Sequence, residues 1–142
     1  MTRGIRNNNP LNIRRVAGQR WKGQRTEQTD KSFVQFESLA WGIRAAFCIL
    51  DTYRRKYQDV CVEDIIARWA PPSENATSEY IRTVCRLTGF GGKERLVESQ
   101  LPALVCAMAF VECGALISKE TILKGFRLFK EIQNSKLKNQ KP

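Results

Sequence analysis

Pro102-Ala103-Leu104-Val105-Cys106-Ala107-Met108-Ala109-Phe110-Val111-Glu112-Cys113-Gly114 is the stretch whose reading decides the fold. Pro102 suits the first position of a helix, where its missing N–H is not needed. Gly114 suits the residue just past the end. Nearly every residue between them is apolar, so the segment predicts a helix buried on all sides. Such a helix must be covered by others, and the expected fold class is mainly α, with about five helices around this one. Its single charge, Glu112, falls in the last turn. Burial disfavours an ionised carboxylate, and the negative end of the helix dipole disfavours it again, so both effects raise its pKa. A carboxylic acid kept protonated near neutral pH can protonate a leaving oxygen, as glycoside cleavage requires. The competing reading turns Glu112 outward or pairs it with one of the many Arg residues.

The whole chain narrows the chemistry. Its 142 residues suit one domain with a real core. Residues 1–135 are expected to form that domain, and 136–142 a disordered basic tail. Twenty-four Lys and Arg against 14 Asp and Glu give a net charge of +10. This balance favours polyanions: nucleic acid, acidic lipid or an anionic cell-wall polymer. His is absent, which excludes Ser-His-Asp and Cys-His catalysis. The five Cys (48, 61, 85, 106 and 113) form no C-x-x-C pair, so they read as free thiols and no metal or cofactor is expected. No apolar run reaches the ~18–20 residues that span a membrane. The start has no apolar signal segment, so synthesis and first residence in the cytoplasm are expected. A monomer is expected.

Residues 1–37 read as an irregular lobe with room for one small hairpin. Asn7-Asn8-Asn9-Pro10 is a turn-forming run. Ser32-Phe33-Val34-Gln35-Phe36 is strand-like. A helix begins around Ser38–Trp41 and runs to about Tyr57, with Ile43, Phe47 and Leu50 near helical spacing. A short helix follows, with Ile65, Ile66 and Trp69 on one side, and Pro71-Pro72 stops it. Ser73-Glu74-Asn75-Ala76-Thr77 is rich in N-cap residues. The next helix, near 78–88, presents Tyr80, Ile81, Val84 and Leu87, and Gly89 ends it. The last helix, near 119–133, carries Ile122, Phe126, Phe129 and Ile132 or Gln133 on one stripe.

Three pieces carry a resemblance. Gly4-Ile5-Arg6-Asn7-Asn8-Asn9-Pro10-Leu11-Asn12-Ile13 is the first. Trp21-x-Gly23 with Phe33-x-x-Phe36 is the second, and Arg68-Trp69-Ala70-Pro71-Pro72-Ser73-Glu74-Asn75 the third. Together they resemble small phage and prophage virion proteins, a group similar to lysozyme-like cell-wall lytic enzymes. The pattern is also similar to bacterial glucosaminidases of the flagellar and autolysin type. There, a helix ending in a catalytic Glu precedes an Asn-Asn piece, a Trp-x-Gly, a Phe-containing strand and an Ala-Thr loop with a Tyr. Here Asn8-Asn9, Trp21-Lys22-Gly23, Phe33 to Phe36, and Ala76-Thr77 with Tyr80 keep that order. The Glu helix comes last instead of first. That looks like a circular permutation of a lysozyme-like domain, a rearrangement compact domains tolerate.

The resemblance implies a peptidoglycan-cleaving glycosidase or lytic transglycosylase, acting from the virion or after release to the wall. Glu112 would be the general acid. Tyr80 would stabilise positive charge on the sugar or orient its acetamido group, against a plain role at the core edge. Asn8, Asn9 and Asn12 would bind sugar or floor the cleft, against turn formation. Trp21 would stack on a sugar, against internal packing. Glu27, with Asp30 nearby, is the candidate second carboxylate; without one, the sugar's own 6-hydroxyl can attack. Arg6, Arg14, Arg44 and Arg68 would hold peptide-stem carboxylates, against a solvated basic face. The alternative is a non-catalytic phage structural or binding protein on the same scaffold, with cell wall or nucleic acid as partner. Nucleic acid is the weaker partner, because no helix-turn-helix spacing stands out.

Overall fold

The computed structural model describes residues 1–72 and 76–140, with side chains described as far as Glu131. Among these, six α-helices form the molecule: α1 (Arg3–Arg6), α2 (Leu39–Tyr57), α3 (Val62–Trp69), α4 (Thr77–Thr88), α5 (Leu101–Cys113) and α6 (Lys119–Gln140). A single 3₁₀ turn, Glu98–Gln100, leads into α5. The fold is mainly α, as expected. The expected hairpin is reduced to two isolated antiparallel bridges, Arg14 with Phe33 and Gln24 with Phe36. The lobe is instead tied by side chains, because its Asn and Gln residues compete successfully for backbone groups.

Helix α5 is the centre. Leu104, Val105, Ala107, Met108, Ala109 and Cys113 are buried, and α1, α2, α4 and α6 pack on it. It begins one residue before Pro102, and Gly114 closes it in the left-handed conformation at φ 74°. Helix α2 starts at the Ser38 cap, whose side chain accepts from the Trp41 N–H. It lies along α6. Phe47 meets Phe126 edge-on at 4.9 Å and stacks on Phe129 at 6.0 Å. Gly125 permits this approach: a Cβ there would stand 2.5 Å from Ile43 Cγ2 and 3.0 Å from the Ala40 carbonyl. Helix α3 stops at Ala70, ahead of Pro71, which places Trp69 at its end.

Two expectations change at the chain's later segments. Helix α6 continues to Gln140, so residues 136–140 are helical rather than part of a disordered tail; 141 and 142 lie outside the described residues. The N-cap of α4 is Ala76, with no side-chain cap, and Thr77 Oγ1 instead donates to the Ala70 carbonyl at 2.5 Å. The cap candidates at 73–75, Glu74 included, and the side chains of Ile132 and Gln133 lie outside the description. Among the described residues, no helix is long and apolar enough to cross a membrane. Likewise, no group of three or more His, Cys, Asp or Glu is placed to hold a metal ion. Cys61, Cys85, Cys106 and Cys113 carry free thiols.

Candidate active site

The lobe is built around Asn9, which is 0% exposed. Its Nδ2 donates to the carbonyls of Ile13 (2.9 Å) and Val34 (2.8 Å), and its Oδ1 accepts from the Ile13 N–H (2.9 Å). Every polar atom of this buried side chain is therefore used internally, as burial demands. Asn8 adopts a left-handed φ of 52° and donates to the Phe36 carbonyl at 3.1 Å. Both hold the turn, and neither Asn8 nor Asn9 lines the openings beside Glu112. Asn12 differs. Its left-handed turn (φ 52°) sends Nδ2 to the Glu112 carbonyl at 3.0 Å and toward Glu112 Oε1 at 3.4 Å. The lobe is thereby fastened to the last turn of α5.

Glu112 receives two more donors. Trp69 Nε1 from the end of α3 donates to Oε2 at 3.2 Å, and the Tyr80 hydroxyl from α4 donates to the same oxygen at 3.1 Å. Glu112 thus sits where four parts of the chain converge. Burial pushes its pKa up; the donors from Tyr80, Asn12 and Trp69 and the positive charge of Arg14 pull against it, and burial wins. The Tyr80 hydroxyl is driven far above its ordinary range, chiefly by burial and then by the Glu112 charge, so it stays a donor.

An open cleft of about 940 Å³ runs past this carboxylate. Asn12, Arg14, Trp21, Phe33, Tyr53 and Trp69 line it with Glu112. Glu112 is the one carboxylate among the described residues that line it. Trp21 is half-buried there. Its indole N–H is buried and makes no hydrogen bond among the described residues, so the ring supplies apolar surface. A second opening of about 280 Å³ reaches Glu112 and Tyr80 from the α4 side and includes Glu79 and Thr83. Glu79 is exposed and ion-paired with Arg82.

The structure therefore gathers Glu112, Tyr80, Asn12 and Trp21, and leaves Asn8, Asn9 and Glu27 apart. Glu27 is exposed and lines neither opening. Nearby Asp30 is committed to Arg3, which reaches it twice at 2.6 Å, and to the N–H groups of Ser32 and Phe33. The Arg3 hydrogen bonds hold its carboxyl well below the usual range. Arg68 is likewise spent on Asp59 at 2.5 Å. Trp69 is the member that sequence reasoning missed, having read it as part of an apolar side of α3. Its place at a helix end, just before Pro71, was the available signal.

No protein-family model matches the chain. The chain is 42% identical over 127 residues to Protein P5 of Pseudoalteromonas phage PM2, across 87% of this chain and 79% of that protein.

Proposed function

We propose that the chain, which belongs to the family of Protein P5 of Pseudoalteromonas phage PM2, is a phage-associated enzyme cleaving the glycan strands of peptidoglycan. The scaffold is read as lysozyme-like, with the Glu helix permuted to the end. One observation carries the reading: a half-buried carboxyl group with a raised pKa, the one carboxylate among the described residues that line an open cleft. A carboxylic acid so placed is suited to general-acid work.

In the proposed reaction, the Glu112 carboxyl proton passes to the glycosidic oxygen as the C1–O bond breaks. The departing strand leaves as an alcohol. Trp69 and Tyr80 hold the resulting carboxylate through the same Oε2, and the Asn12 amide reaches Oε1. An inverting hydrolase needs a second carboxylate to activate water, about 6.5–9.5 Å away. The described cleft lining offers none, which favours attack at C1 by the sugar's own 6-hydroxyl, its proton returning to Glu112. The products are then an anhydro end and a free strand, with no water consumed. Trp21 gives the sugars an apolar surface to stack on.

The test is digestion of purified peptidoglycan, read by mass spectrometry, with wild type beside Glu112→Gln. Wild type is expected to release anhydro-ended fragments, and the variant to lose at least ~100-fold in rate, the span of general-acid catalysis. Fragments heavier by one water would replace the 6-hydroxyl route by hydrolysis. No fragments from folded wild type on several wall types would make this a binding or structural protein of the phage.

A further inference from the structure

We propose that Arg14 reads a carboxylate on the bound glycan, so that the cleft selects strands carrying carboxylates beside the bond to be cut. This rests on the glycan-cleaving reading and adds to it the residue that sets specificity.

The backbone fixes where Arg14 stands. It forms an antiparallel bridge with Phe33, flanked by hydrogen bonds from Val34 N–H to the Ile13 carbonyl (3.0 Å) and from Arg15 N–H to the Ser32 carbonyl (2.8 Å). Residues paired across a bridge project to the same face. The Arg14 guanidinium accordingly lies over the Phe33 ring, 5.2 Å from its centroid, and both residues line the cleft. Arg15 projects the other way, and its Nη1 donates to the Asp30 carbonyl at 2.8 Å.

A second guanidinium, that of Arg3, lies 4.6 Å from the same ring. Asp30 neutralises Arg3 through paired 2.6 Å hydrogen bonds. Arg14 receives no such partner: among the described residues it makes no ion pair and no hydrogen bond through its side chain. The ring thus holds two cations, one matched to a carboxylate and one open to the cleft. Of the titratable groups lining that cleft, Tyr53 and Glu112 are the others. Tyr53 is pushed upward by burial and stays neutral. Arg14 is therefore the one unmatched positive charge among the described residues that line the cleft. Guanidinium groups engage carboxylates through paired N–H donors, and stacking on Phe33 restricts the side chain before it binds.

Arg14 also bears on the acid. Its charge favours ionised Glu112. The other groups about Glu112 are neutral Tyr80 and Trp69, the Asn12 amide, and Glu79 across the second opening, which Arg82 offsets. A substrate carboxylate at Arg14 cancels the pull and leaves Glu112 more firmly protonated when glycan is bound.

The probes are muramic-acid-containing glycan fragments with free carboxylates, and the same fragments with those carboxylates converted to amides. Binding is read by the fluorescence of the cleft tryptophans in wild type, Arg14→Gln and Arg14→Lys. Wild type is expected to bind the free-acid fragments about tenfold more tightly, the scale of a charge-assisted hydrogen bond. Arg14→Gln should bind both forms alike, and Arg14→Lys should recover part of the preference. In cleavage assays Arg14→Gln should raise KM with kcat little changed, and shift the alkaline limb of kcat/KM to higher pH, a change that a purely structural role would not produce. Equal binding of both forms by wild type, or a preference that survives in Arg14→Gln, overturns the assignment. Preference without any cleavage would leave Arg14's role standing and remove the enzyme reading; cleavage without preference would do the reverse.

Discussion

At the scale of single residues, Glu112 trades stability for chemistry. Its carboxyl titrates near 4.5 when unfolded, and burial raises that value in the folded protein. Between the two values the folded state holds more protons than the unfolded one. Stability from this group is therefore full at low pH, falls as pH rises through that interval, and stays down above it. A neutral Gln keeps an acceptor oxygen for Trp69 and Tyr80 and escapes the penalty. Glu112→Gln should then melt at a higher temperature than wild type at pH 7.5, with the difference shrinking toward pH 4.5. Scanning calorimetry at the two pH values decides it. A variant less stable than wild type, by an amount that grows from pH 4.5 to pH 7.5, would mean that the three donors outweigh burial. Glu112 was legible in the sequence because one charge in an apolar helix is conspicuous and its helix-end position has a known sign. Trp69 was not: helical spacing assigns a side chain to a face, while its indole N–H can still turn to a neighbour's carboxylate. Glu27 failed for a related reason, since its order along the chain places it in the lobe but does not aim it at the cleft.

At the scale of elements, what sequence told well was long and periodic. The helices from α2 to α5 lie within a few residues of their expected positions, because caps and breakers such as Ser38, Pro71, Gly89 and Gly114 have local causes. Helix α1 is a single turn, too short for a period to register. The crossing of α2 and α6 was equally hidden, since Gly125 looks like a defect in a helix until its neighbour is known. Glycine costs a helix interior about 1 kcal/mol relative to Ala. Here the close approach to Ile43 reverses the usual preference. Gly125→Val should destabilise by roughly 1–3 kcal/mol, the range for overpacked cores, measured by urea unfolding. Joined to Ile43→Ala, which removes the Cγ2 atom in the way, the loss should be smaller than the sum of the two single losses. Strict additivity would place the strain at atoms that Ile43→Ala keeps, the Cβ of residue 43 at 2.7 Å and the Ala40 carbonyl at 3.0 Å from the added Cβ.

At the scale of the whole molecule, the cleft lies where an irregular lobe meets a helical body, and Asn12 bonds the two at the catalytic candidate itself. Composition foresaw the polar lobe and the basic surface but not their division of labour. Asn7, Asn9, Asp30 and Gln35 are spent on the lobe's own backbone and side chains, while the net charge of +10 is left to act at a distance. Fields from exposed charges raise the local concentration of a polyanion, and salt weakens them as the Debye length falls from about 10 Å at 0.1 M to 3 Å at 1 M. Glu112 is half-buried and held by direct hydrogen bonds, which salt screens far less. Raising NaCl from about 0.05 to 0.5 M should therefore increase the apparent KM for insoluble, anionic wall severalfold and leave kcat within about twofold. A neutral chito-oligosaccharide, if cleaved, should show almost no dependence on salt. A fall in kcat on both substrates would instead mean that the charge maintains the fold of the site, because capture of a polyanion acts before the chemical step and cannot slow it.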